Sequence, residues 1–232
     1  MHKTTTNAST PGSGRSAAGF TLMEIIVVLA VLGALAAMLA PVVFRYIDDA
    51  NVARAQADVS TLAAGITKMY KDTGRWPFYK DGNDALAYTS GTDAALLTSN
   101  GATCTTGCTD ATLPEDGTSG DLWALATAKK DNVANQLVTN TPFGSTASAD
   151  VYATTGSRAW QGPYVDRVPA TDPWGRSYVV NVANADPGVA ASSQRWVIVI
   201  SGGPDGTLET DPTAALFSNA VPVDDDIIAR VR

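Results

Sequence analysis

The sequence predicts an α+β protein in which one long amino-terminal helix packs on a small antiparallel sheet, with a loop-rich insertion and a closing acidic loop. Three observations carry this. Helical periodicity persists from a polar leader to Gly74. Two β-prone runs, 177–182 and 195–201, flank a turn at Pro187-Gly188 and read as an antiparallel hairpin. Between helix and hairpin, clusters of Gly, Asp, Asn, Ser and Thr mark turns and loops. The chain therefore divides into a leader, 1–19, a helix, 20–74, with an apolar segment at 25–44, and a head, 75–232. The head holds the insertion, 78–158, and the hairpin with its acidic loop, 160–232.

The 232 residues suit one domain of ordinary size plus an appendage. A net charge of −7, with no basic patch after the apolar block, argues against a nucleic-acid partner, which would need Lys and Arg gathered on one face.

The leader "MHKTTTNASTPGSGRSAAG" carries Lys3 and Arg15 and no acid, so it is expected to stay cytoplasmic while the chain beyond the apolar block emerges on the far side. From Ile25 to Phe44 no charge interrupts the sequence. As a helix this stretch spans about 30 Å, the thickness of a hydrocarbon core. An uncleaved anchor, a secretory signal cut after Ala34-Leu35-Ala36, and a leader cut before the helix all remain open from these residues. Glu24 stands at the mouth of the block. A carboxylate there needs a partner, neutralisation, or a path for its charge to the headgroups. Gly33, Ala34, Ala36, Ala37 and Ala40 offer small surfaces for close helix approach, and Pro41 is expected to kink or loosen the helix.

Past Phe44 the pattern turns amphipathic. Ile47, Val52, Ala55, Val59, Leu62, Ile66, Met69 and Tyr70 recur at helical spacing without a sustained heptad, and Gly74 with Pro77 supplies the stop. Within the insertion, 122–138 is expected to be a helix with Leu122, Leu125, Val133, Leu137 and Val138 facing a core and Trp123 partly exposed. "TNTPFGSTASAD" reads as a long surface loop. Cys104 and Cys108 enclose a short loop in "CTTGC". Two cysteines with no histidine nearby make a poor metal site, so a disulfide is expected, worth about 2 kcal/mol as a local staple.

The single histidine, His2, lies in the leader, which removes imidazole from the remaining chain and argues against an enzyme. Candidate site chemistry is confined to the end of the chain, where Asp205 follows a Gly-rich turn and Asp224, Asp225 and Asp226 arrive before Ile227. Hard oxygen donors from two loop segments suit calcium, although the spacing is not that of an EF-hand. A solvated acidic turn is the plain alternative.

"GFTLME" at 19–24 resembles the processing site of type IV prepilins and of the pseudopilins of type II secretion systems. The resemblance implies a membrane peptidase that cuts between Gly19 and Phe20 and methylates the new amino terminus. It also implies that Glu24 pairs with the Phe20 amine of an adjoining subunit, and that the stretch from Gly33 to Pro41 loosens on assembly. "WQGPYVDRVPATDPWGRSYVV", then "SGGPDG", with "YKDTGRWP" at the end of the helix, resembles the major pseudopilin of type II secretion. A type IV pilin-like fold is what this similarity implies. The implied function is that of a structural subunit of a periplasmic pseudopilus, anchored in the inner membrane by one span. Its implied partners are further copies, minor pseudopilins, the prepilin peptidase and the inner-membrane assembly platform. The same resemblance implies calcium bound by Asp205, Asp225 and Asp226, with backbone oxygens near Gly202 and Thr207. The stretch 206–224 is longer than that family's usual loop, and "IIARVR" lacks the aromatic that commonly follows it there. A type IV pilus subunit serving adhesion, motility or DNA uptake, and a single-span anchored binding module, are the alternatives.

Overall fold

The computed structural model describes residues 19–77, 96–101, 112–118, 122–123, 125, 130–146, 151–182, 197–212 and 222–231. Cys104, Cys108 and the expected turn at Pro187-Gly188 lie outside them. The chain divides into two compact units, Met1–Ile47 and Asp48–Arg232.

Helix α1, Leu22–Thr73, runs through both units and continues unbroken past Pro41. In the first unit its apolar side chains are all exposed, from Leu22 to Ile47. In the second unit Ala55, Val59, Leu62, Ile66 and Met69 are fully buried at spacings of three and four, the stripe that a helix buries on one face. Two positions expected on that stripe depart from it. Ile47 is exposed, lying before the stripe begins, and exposed Tyr70 stacks on Trp76 with ring centroids 4.2 Å apart. Gly74 ends the helix at φ +69°, a left-handed conformation that glycine adopts without strain, and its N–H donates to the Tyr70 carbonyl at 2.8 Å.

The strands of the second unit are β1 (Leu96–Thr98), β2 (Glu115–Asp116), β3 (Lys130–Asn132), β4 (Val179–Asn181), β5 (Ile198–Ser201), β6 (Thr207–Leu208) and β7 (Ile227–Arg230). Five of them form a sheet ordered β3-β1-β4-β5-β7, and β2 pairs with β6. In the five-stranded sheet all neighbours are antiparallel except β1 and β3, so the sheet is mostly antiparallel. The antiparallel pairing expected of the hairpin is present as β4 and β5, with Val179 opposite Ile200 and Asn181 opposite Ile198.

Every residue of β4 and β5 is buried, because both faces of the sheet are covered. Leu97, Val180, Val182, Val197 and Val199 join the core of α1. The alternate residues Leu96, Val179, Ile198 and Ile200 form a second core with Trp123, Leu125 and Leu208. The period-two pattern of a strand thus feeds two cores at once. Tyr178 crosses toward the helix, its hydroxyl donating to Asp58 Oδ2 at 2.8 Å; burial first, then Asp58, pushes the phenol well above its ordinary range.

The helix expected over 122–138 is corrected. Leu122 and Trp123 lie in a turn, Lys130–Asn132 is strand β3, and among the described residues of that stretch only Val133–Leu137, α2, is helical. The cause is local: Asn132 caps α2, its side chain accepting the Ala134 N–H at 2.8 Å, which starts a new helix there. Buried Asp131 fixes the same corner by accepting Asn132 N–H, Asn135 Nδ2, Gln136 Nε2 and Phe143 N–H. The burial expected of the neighbouring pair is also reversed, since Trp123 is 1% exposed while Leu122 is 38% exposed. Within the expected surface loop a short turn of helix, Pro142–Gly144, buries Pro142.

Candidate functional site

Two places carry the candidate residues. At the amino terminus Gly19 and Phe20 precede α1 in exposed, non-helical chain. Thr21 caps the helix: the Glu24 N–H donates to Thr21 Oγ1 at 3.2 Å and to the Thr21 carbonyl at 3.1 Å. Thr21-x-x-Glu24 is therefore a helix start, with an acid in the first turn where the helix dipole favours it. That spacing was readable in the sequence and gives Glu24 a local role in addition to any pairing. Gly33 is exposed, with nothing within 4 Å of where a Cβ would stand. Among the described residues, α1 is the one helix long and apolar enough to cross a membrane, with a mean hydropathy of 2.8 in its most apolar window and none of that window buried. One such helix at this position fits a membrane-anchored single-pass protein.

The second place is the acidic loop. It opens at Ser201, the last residue of β5, whose hydroxyl donates to Asp172 Oδ2 at 2.7 Å. Buried Asp172 also gathers the "DPWG" turn, its Oδ1 accepting the N–H groups of Trp174 and Arg176 at 3.0 and 2.8 Å. The loop thus springs from a fixed base.

Gly202 and Gly203 then pass against backbone too close for a side chain. A Cβ on Gly202 would stand 2.8 Å from the Thr207 carbonyl oxygen, and one on Gly203, at φ +60°, 2.5 Å from that of Asp225. This is why the segment reads "SGG". Asp205 Oδ1 accepts the Thr207 N–H at 2.8 Å, and Asp224 adopts φ +54° to turn the second segment toward the first. Aspartate tolerates that conformation better than most residues.

These turns bring carboxylate oxygens of Asp205, Asp225 and Glu209 within 4.8 Å of one another. The sequence named the first two. It missed Glu209, four residues beyond Asp205, because an isolated Glu in "TLETD" carries no metal pattern. Asp226, also named, stands behind the trio: buried, its Oδ2 accepts the N–H groups of Glu209 and Thr210 at 3.0 and 2.6 Å. Gly202 contributes its carbonyl to the Gly206 N–H at 2.9 Å.

The electrostatics are those of crowded anions. Glu209 is pushed up from 4.5 to about 7, by burial first and then by Asp205, Asp226 and Asp225. Asp226 is pushed up from 3.8 to about 6, burial outweighing the hydrogen bonds it accepts. Five buried side-chain oxygens among the described residues lack a hydrogen-bond partner, and three of them are Glu209 Oε2, Asp225 Oδ1 and Asp226 Oδ1. Buried unpaired carboxylate oxygens are costly, and a hard cation is the group that satisfies several at once. The residues present fit calcium.

Comparison with known proteins finds matches in two stretches of the chain. Residues 14–40 match the prokaryotic N-terminal methylation motif, and residues 144–220 match type II secretion system (T2SS), protein G. The type II secretion system core protein G of Pseudomonas aeruginosa is 39% identical over 31% of this chain and 51% of its own length. That of Aeromonas hydrophila is 33% identical over 31% of this chain and 50% of its own length. Toxin coregulated pilin of Vibrio cholerae is 29% identical over 32% of this chain and 33% of its own length. The chain spans about half the length of the protein G relatives it matches. No solved structure matches significantly. With a methylation motif at the helix start and protein G similarity through part of the head, the chain is similar to the core protein G of type II secretion systems and, less closely, to toxin coregulated pilin.

Proposed function

We propose that this chain is the structural subunit of a periplasmic pseudopilus that drives protein export by a type II secretion system. The observation that carries it is the apolar half of α1, whose side chains from Leu22 to Ile47 are exposed and begin within the methylation motif matched at 14–40. Such a surface is covered by lipid before assembly and by the helices of further copies afterwards. Cleavage between Gly19 and Phe20 supplies the amine, and Glu24 of an adjoining copy supplies its counter-charge. The prepilin peptidase, minor pseudopilins and inner-membrane platform are its partners in this reading, and its role is mechanical rather than enzymatic. Protein G similarity across 144–220 favours secretion. Toxin coregulated pilin similarity supports a surface pilus as the second reading.

The acidic loop serves this role as a cation site. Asp205, Glu209 and Asp225 would hold calcium, Asp226 would fix the backbone behind them, and the ion would rigidify the last loop of the head.

Deleting the gene in its own host and comparing secreted protein with surface piliation tests the assignment. Loss of secretion with unchanged piliation is expected. Loss of piliation alone establishes the pilus instead, and an amino terminus at Met1 or after Ala36 in the mature protein overturns both.

A further inference from the structure

The insertion reaches the acidic loop through a pair of strands that the sequence did not announce. Strand β2, Glu115–Asp116, pairs in parallel with β6, Thr207–Leu208, with Glu115 opposite Thr207 and Asp116 opposite Leu208. The Glu115 N–H donates to the Gly206 carbonyl at 2.8 Å and the Gly117 N–H to the Leu208 carbonyl at 3.0 Å. Strand β6 is the stretch between Asp205 and Glu209, so the insertion grips the backbone that sets the distance between two of the three clustered acids.

Other contacts make this more than an incidental pairing. Asp116 ties its own segment together, accepting the Thr118 N–H at 2.9 Å, the Thr118 hydroxyl, and the Trp123 N–H at 2.8 Å. Trp123 is buried, and its indole N–H donates to the Thr210 carbonyl at 2.9 Å. Thr210 in turn donates its N–H to Asp226 at 2.6 Å. Gly117 lies against the third acid, for a Cβ there would stand 2.6 Å from Thr207 Cγ2 and 3.3 Å from Glu209 Oε1. The far end is fixed to the chain just before β4: the Ser177 N–H donates to the Thr112 carbonyl at 2.6 Å, and Arg176 Nη1 to that of Leu113 at 3.1 Å.

We propose that residues 112–118, with Trp123, are a clamp that builds the cation site, with Asp116 and Trp123 as positioning residues, so that clamp docking and cation binding reinforce each other. The proposal rests on the cation reading above. The physical reason is reciprocity. A cation drawing Asp205, Glu209 and Asp225 together favours the conformation of β6 that β2 pairs with, and a docked β2 holds those acids where a cation gains most. Without the ion, mutual repulsion of the acids opposes the geometry that the clamp requires.

The test uses the full chain in detergent, with calcium alone as the probe. Isothermal titration gives the affinity, and hydrogen exchange gives the protection of 112–118 in calcium and in chelator. Calcium is expected to slow exchange in 112–118 about tenfold, and Asp116→Ala to weaken calcium binding by about tenfold, both within the range of coupled sites. Calcium binding that leaves exchange in 112–118 unchanged overturns the clamp and leaves the cation site standing. So does a folded Asp116→Ala variant with wild-type affinity. A wild-type chain that binds no calcium overturns the cation site and the clamp with it. The exchange comparison needs only the wild type, so it decides even where Asp116→Ala does not fold.

Discussion

The two units of this chain draw on the same kinds of apolar side chain and treat them oppositely. In Met1–Ile47, Val, Leu, Ile and Ala surround the helix and remain exposed. In Asp48–Arg232 the same residue types occupy one stripe of the helix and both faces of the sheet, and are buried. The difference lies in arrangement: a helix apolar all round has no intrachain face to choose, whereas a striped one does.

The largest effect expected to break this contrast is at Gly19. Replacing it by Val should abolish processing, and intact mass of the purified chain should then retain the residues before Phe20. Next come core truncations in the second unit. Trp123→Ala should cost about 3–5 kcal/mol and Leu62→Ala about 2–5 kcal/mol, read by chemical denaturation of the head. Comparable losses would show that insertion and helix contribute alike.

Calcium follows. At a free concentration a hundred times its Kd it should stabilise the head by about 2.7 kcal/mol, seen as a rise in Tm that chelator reverses. The ion-free head should also lose stability as pH rises from about 4.5 to about 7. Glu209 binds its proton more tightly folded than unfolded across that window, so the folded state holds more protons there and rising pH works against it. Asp226, raised from 3.8 to about 6, acts in the same direction over a lower window. Melting curves with excess calcium should show the slope flatten. The smallest effect is expected at Leu32→Ala, which should leave the melting of the head within about 0.5 kcal/mol, because Leu32 is 55% exposed. A larger change there would mean that the first unit supports the second.

Legibility followed the range over which each signal acts. The long helix, its stop at Gly74 and the β4–β5 pair were readable because spacing, a glycine and β-branched runs act locally. The second core was not, since Leu96, Trp123 and Leu208 meet from three separate stretches and nothing near any one of them announces the others. Strand β7 was missed for a related reason: "IIAR" lacks strict alternation and gains its place at the sheet edge only by pairing with β5. Asp131 and Asn132 misled the helix assignment because a buried acid and a cap look, in sequence, like a polar face. In the acidic loop, Asp205 and Asp225 were legible from charge density, whereas Glu209 depended on where β6 was held.

The cap at Thr21 bears on the order of events at the membrane. A cut after Gly19 leaves Thr21 and its bonds to Glu24 in place, so processing need not rewind the helix. Under the proposed function it would place an ammonium at the positive pole of a long array of aligned peptide dipoles. The helix that carried the new charge would repel it, while Glu24 is already favoured in its own first turn. Each terminus would then be a cation whose counter-charge lies on another copy. Processing would in this way convert an inert anchor into a polar plug and socket while leaving the helix start as it was.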